Sequence, residues 1–267
     1  DLVVVDKLYI YDNDGGEYLS GDGTTLTITA GAASTVKLDA NSKISLSNND
    51  GGTSNTLFGS KSGANLAGGG NYNVLIGEDA GNDLTTGTNN IAIGFGALDR
   101  ATTQADRNIA IGLYSMHGNW TTADVNDCVA VGEQTLQGTL TAAASGSTAV
   151  GSFALTALTS GARNTALGFQ TLDAMTQGDD NIAIGYQALS ALGSTDACDK
   201  NIAIGNYAMD AADGSEAGHI AIGHNSLGAL NENGAERNIC IGIESGASLN
   251  SADADYNVIM GYAAGTG

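Results

Sequence analysis

Asn181-Ile182-Ala183-Ile184-Gly185-Tyr186-Gln187-Ala188-Leu189 is one copy of a pattern that runs through most of the chain. Its first five residues return at 55–59 (NTLFG), 73–77 (NVLIG), 90–94 and 108–112 (both NIAIG), 128–132 (CVAVG), 147–151 (STAVG) and 164–168 (NTALG). They continue at 201–205 (NIAIG), 219–223 (HIAIG), 238–242 (NICIG) and 257–261 (NVIMG), and successive closing glycines stand 17 to 20 residues apart. A fixed period of about this length is the mark of stacked structural repeats, each of which buries its apolar face only against its neighbours. The sequence therefore predicts an all-β fold, an elongated β-solenoid (a β-roll or β-helix) of about twelve 17–20-residue coils.

Each glycine is followed by a second pattern. The third residue after it is small, from Ser62 and Ala80 through to Ser245 and Ala264. The fourth is Leu or Met in the eight central copies, Leu98 to Leu227, and Gly in the two copies at each end, Gly63, Gly81, Gly246 and Gly265. Alternate residues of a strand face opposite sides. Positions two and four of the motif, β-branched or large, are thus expected to stack into the solenoid's own core, with the Leu or Met closing it from the other side. Position three then points outward, yet it is apolar in every copy. We expect Ala92, Ala110, Ala130, Ala149, Ala166, Ala183, Ala203 and Ala221 to form an inter-chain face, and so a homo-oligomer, with three chains the natural count for a fibre. The plainer alternative is Ala tolerated on an exposed face, where Thr or charge is commoner. The leading Asn suits a local bond to backbone, or a stacked Asn ladder.

Composition agrees with many tight turns. The 267 residues include 39 Gly and no Pro, and only 14% are charged. The formal charge of -20 disfavours nucleic acid and anionic membrane as partners. No apolar run is long enough for membrane insertion as a helix. Cys128, Cys198 and Cys240 show no paired spacing, so no zinc or redox motif follows. The chain opens at Asp1 without a signal-peptide pattern, which suggests a fragment or a processed product. Residues 1–52 lack the motif and carry short alternating runs separated by turn signals such as Asn13-Asp14-Gly15-Gly16. They are expected to form a short β-rich shaft or connector ahead of the repeat domain at 53–267.

The run 181–189 resembles repeats of bacteriophage tail fibres and fibre-like adhesins, and is similar to the shorter coil of trimeric autotransporter adhesin heads. The resemblance covers roughly residues 55–267. It implies a trimeric β-roll whose role is attachment to a cell surface, in a virion or outside the cell, with a surface glycan or protein as receptor. The coil here is longer than in adhesin heads and its loops vary in length.

Catalytic signatures are missing: there is no GxSxG, HExxH, Walker or EF-hand pattern, and no cofactor motif. The chain is read as a structural and adhesion protein, not an enzyme. A carbohydrate-active tailspike is the alternative, since such an enzyme needs only two carboxylates in a groove. An ice- or ion-binding solenoid is the second, although irregular loops suit it poorly. His219 holds the motif's Asn position, which points to a structural role. Trp120, in a long gap between motifs, is the candidate receptor contact, because a Trp in a polar loop can stack on a sugar; packing onto its own loop or a neighbouring chain is the other possibility. The aromatics after the glycines, including Phe95, Tyr114, Phe169 and Tyr186, face the same choice between sugar and chain.

Overall fold

The computed structural model describes residues 52–101, 104–120, 124–193, 198–212, 217–230, 236–251 and 254–266. The expected shaft, 1–52, lies outside the described residues except for Gly52. Each motif contributes one three-residue strand: β1 (Thr56–Phe58), β2 (Val74–Ile76), β3 (Ile91–Ile93), β4 (Ile109–Ile111), β5 (Val129–Val131), β6 (Thr148–Val150), β7 (Thr165–Leu167), β8 (Ile182–Ile184), β9 (Ile202–Ile204), β10 (Ile220–Ile222), β11 (Ile239–Ile241) and β12 (Val258–Met260). The twelve strands form a single parallel sheet in chain order. Pairing is in register, so that Ile91, Ala92 and Ile93 sit opposite Ile109, Ala110 and Ile111. The protein is thus an all-β solenoid, as the repeat predicts.

The orientation of the strands is the reverse of the expected one. Position three points inward: Ala92, Ala110, Ala130, Ala149, Ala166, Ala183, Ala203 and Ala221 are each 0% exposed and belong to the chain's own core. Positions two and four point outward and are half-buried in most strands. The predicted inter-chain face is therefore an intra-chain one. The reason is the width of the coil. The Leu or Met after the glycine turn reaches across the interior and is fully buried at Leu98, Met116, Leu136, Leu155, Leu172, Leu189, Met209 and Leu227. Facing so large a side chain, the strand has room only for Ala.

The end coils make the same point with the sizes exchanged. There position three is Leu57, Leu75, Cys240 or Ile259, and the residue across from it is Gly63, Gly81, Gly246 or Gly265. A Cβ added at Gly81 would lie 2.9 Å from Leu75 Cδ1, and one at Gly265 2.9 Å from Ile259 Cδ1. Large faces small in every coil but the eleventh, where Cys240 faces Gly246, and this exchange keeps the core volume nearly constant in the others, as close packing requires.

The corners are held by hydrogen bonds running from coil to coil. Asn73 N–H donates to Asn55 Oδ1 (2.8 Å), Asn90 N–H to Asn73 Oδ1 (2.9 Å) and Asn108 N–H to Asn90 Oδ1 (2.9 Å). The side-chain amides donate in turn to a carbonyl three residues ahead of the next motif, Asn73 Nδ2 to Gly87 O at 2.8 Å and Asn108 Nδ2 to Val125 O at 2.8 Å. Both expected roles of the Asn are thus met at once. Substitutes keep the ladder going: Asn238 N–H donates to His219 Nδ1 at 3.2 Å, which gives His219 the structural role its position suggested. The motif glycines are fixed by crowding. Gly112 has φ +134°, and a Cβ there would lie 2.4 Å from Gly132 O.

Candidate functional site

Three surface features follow from this register. The first is the outward face of the sheet. Its two columns contain Ile, Val, Leu, Phe and Met, broken only by Thr56, Thr148 and Thr165, and carry no charge. Eleven strand spacings of about 4.8 Å make this stripe roughly 50 Å long. Leu167 and Ile182 are 46% and 37% exposed within it. Most of its other residues are half-buried.

The second is a row of aromatic rings just past the glycine corner. Phe153, Phe169, Tyr186, Tyr207 and His224, one from each of five successive coils, follow one another at centroid separations of 5.2–5.8 Å. Phe169 and Tyr186 are stacked, and the other contacts are edge-on. The spacing of the coils sets these distances, so each ring's partner is the next coil of the same chain.

The third is a cleft of about 280 Å³ on the same corner, lined by Asp79, Phe95, Gly96, Asp99, Arg100, Tyr114, His117, Gln134 and Gln137. A break in the repeat lies within it. The second residue after the motif glycine is at positive φ in all twelve coils, and in eleven it carries a side chain, such as Asp79, Tyr114 or Gln134. In the third coil it is Gly96. A Cβ there would come within 2.9 Å of Tyr114 Cδ1 and 3.2 Å of His117 Cδ2. The Tyr114 ring and His117 thus occupy the space a side chain would take, and the cleft lies beside them, lined by Phe95 and Tyr114, whose rings meet edge-on at 5.2 Å.

Polar groups converge on this cleft. His117 Nε2 lies 3.4 Å from Asp99 Oδ2, with each side chain only 16% exposed. Asp79 Oδ1 and Asp99 Oδ1 are buried and accept no hydrogen bond among the described residues. Burial pushes the Asp99 carboxyl above its ordinary range, Asp83 adds to the rise, and His117 opposes it. Burial, then Arg100, pushes the His117 ring below its ordinary value, against the pull of Asp99. No group of three or more His, Cys, Asp or Glu suited to a metal ion occurs among the described residues.

Trp120 is not at a surface. It is 1% exposed and packs within the core cluster, so it offers no face to a sugar. Of the two possibilities for it, packing onto its own chain is the one observed. Phe95 and Tyr114 do line an accessible cleft. That cleft was missed in the sequence, although its signal was present: Gly96 is the one glycine in that column. Cys128, Cys198 and Cys240 are buried thiols, and burial pushes the Cys240 thiol up to about 11. No described helix is long and apolar enough to cross a membrane. Compared with protein-family models, curated proteins and solved structures, the chain matches none.

Proposed function

We propose that this chain is a structural, adhesion-type fibre segment that assembles with two further copies of itself through the outward Ile/Val face. The observation that carries the reading is that stripe. Parallel sheets occur almost only with both faces covered. Here one face is covered by the chain's own Leu and Met residues, while the other is uncharged over twelve strands. A second copy has the same periodic stripe, so coil spacing matches along the whole length. Three copies turning their stripes to one axis cover all of them and close the assembly, as a rotationally symmetric oligomer must. With the strands reversed, association runs through Ile91, Ile93, Ile109, Ile111 and their equivalents in place of Ala.

In this reading the solenoid is a rigid spacer that presents corners and loops, on a virion tail fibre or at a cell surface. Its acidic exterior limits unwanted edge-to-edge pairing. Light scattering on the purified chain tests it. The expected native mass is three times 26.7 kDa. A monomeric mass overturns the reading, and a dimeric mass overturns the trimer.

A further inference from the structure

We propose that copies of this chain meet parallel and at one axial level, locked by the two edges of the outward face: a trailing edge with apolar side chains in alternate pairs of coils, and a leading edge with one Arg at each of those pairs. The inference rests on the fibre reading and adds to it the polarity and the level at which copies join.

Among the described residues thirteen large apolar side chains stand exposed, and all lie on this face: five in the strands, two just before the motif and six just after its glycine. The strand residues differ little from coil to coil. The stripe alone would therefore let copies slide by one coil, about 4.8 Å, at little cost. The trailing edge, the residue after the motif glycine, does differ. It is apolar in coils three and four (Phe95, Leu113), seven and eight (Phe169, Tyr186) and eleven and twelve (Ile243, Tyr262). In the pairs of coils before and between these it is Ser, Glu, Asn or His. Each of the six apolar members is at least 39% exposed.

The leading edge, the residue before the motif, is at positive φ in all twelve coils. Its three Arg residues, Arg107, Arg163 and Arg237, stand in coils four, seven and eleven, one in each apolar pair. All three are exposed, yet each is held within its own chain. Arg107 Nε and Nη2 donate to the Asp127 carboxylate at 2.6 and 2.9 Å, and Arg163 Nε and Nη2 to that of Asp180 at 2.6 and 3.0 Å. Arg237 lies 5.6 Å from the centre of the Tyr256 ring. A guanidinium fixed in this way stacks well on aromatic and apolar surface.

Rotation about the fibre axis sets the leading edge of one copy against the trailing edge of the next. With no axial shift, each Arg comes level with an apolar pair of the neighbour, Arg163 with Phe169 and Tyr186. A shift of two coils brings each Arg level with polar coils instead. Contact between unlike edges closes into a ring only at zero shift, and otherwise winds into an open filament. Antiparallel copies in full overlap would bring like edges together, with the first coil opposite the twelfth. Every apolar pair would then meet a polar pair, Arg107 would meet Lys200, and Asp127 would meet Asp180.

Cross-linking between whole chains tests the arrangement. Single-cysteine variants are co-expressed in pairs, treated with a short bismaleimide and read by mass spectrometry of the joined peptides. The unsubstituted chain, whose thiols are buried, is the blank. Lys200→Cys, on the leading edge, should join Asn206→Cys, on the trailing edge of the same coil. It should do so at least about tenfold more than it joins Ser152→Cys, three coils away, or Arg107→Cys, its antiparallel partner. Phe169→Ser with Tyr186→Ser removes one apolar pair and leaves the stripe intact. It should cut the level cross-link about tenfold and spread the native mass beyond a trimer, with circular dichroism unaltered. Arg163→Ser should act in the same direction from the other edge, and decides alone should the double variant fail to fold. More joining to Ser152→Cys or Arg107→Cys than to Asn206→Cys overturns the arrangement, as does no joining at trimeric mass. Unchanged level cross-linking in the edge variants overturns the role of the edges. Each of these results leaves the fibre reading standing, whereas a monomeric mass removes both.

Discussion

The two faces of one sheet differ in what limits them. Inward, Ala183 sits opposite Leu189 at zero exposure, and volume decides what is allowed. Outward, Ile182 is 37% exposed and Ile184 half-buried, and chemistry decides. Both faces are apolar, so composition alone does not distinguish them. A side chain's size is set by the cavity it enters, and the smaller residue marks the more confined side.

The sharpest way to break this comparison is to exchange sizes across the core. Leu189→Gly alone opens a cavity and is expected to destabilise the chain by about 2–5 kcal/mol. Ala183→Leu alone overpacks the coil, at about 1–3 kcal/mol. The double variant recreates the Leu75–Gly81 arrangement of the second coil and should lose much less than the sum. Urea denaturation at one fixed protein concentration measures all three. Additive losses would mean that the two positions do not share a cavity.

The outward face should respond in another observable. Ile204→Asp and Ile184→Asp place a charge in the stripe without touching the core. Desolvating a polar group without a partner costs about 2–7 kcal/mol. Association should therefore weaken at least about a hundredfold, while circular dichroism of the coil persists. Light scattering across a dilution series reads this directly. An unchanged mass would show that the stripe is not where copies meet.

Between the faces runs the Asn ladder. Asn181 Oδ1 accepts Asn201 N–H at 3.0 Å, and Asn181 Nδ2 donates to Cys198 O at 2.7 Å. Asn181→Ala removes these bonds and the side-chain bonds to Asn164 and Asn201 inside the core, and leaving a buried group unpaired costs about 1–3 kcal/mol. The loss should appear in denaturation midpoints and leave native mass unchanged, which separates corner from face.

How much of this was legible in the sequence follows from the same physics. The period of the glycines fixed the coil count and the strand positions, because Gly112 and its equivalents meet the next coil's carbonyl and admit nothing larger. Strand orientation was legible too, but in a pair of positions rather than in one. Leu75 with Gly81 and Ala183 with Leu189 trade volume, which only residues facing one another need do. Read one column at a time, the large Ile at position four looks like core. The cleft was legible as an exception, Gly96 in a column of side chains. Its polar lining was not, since Asp79, Asp99 and His117 come from three coils and meet only once the coil spacing is known. Trp120 misled because a residue in a polar stretch can still turn inward.

The smallest effect concerns the electrostatics of that cleft. Burial and Arg100 lower His117 from its ordinary 6.5, so its contribution to stability is complete above that pH and is lost as pH falls through the folded midpoint. Asp99 has the opposite sign. Its carboxyl is raised from 3.8, so its contribution is complete below that value and lost as pH rises through the folded midpoint. An NMR titration of the His117 ring should therefore give a midpoint below 6.5. Asp99→Asn removes the one charge that favours the imidazolium and should move the midpoint lower still; Arg100→Gln should move it up. Equal midpoints in all three proteins would mean that His117 faces solvent rather than these two side chains, and the cleft would lose the polar wall that distinguishes it from the aromatic row.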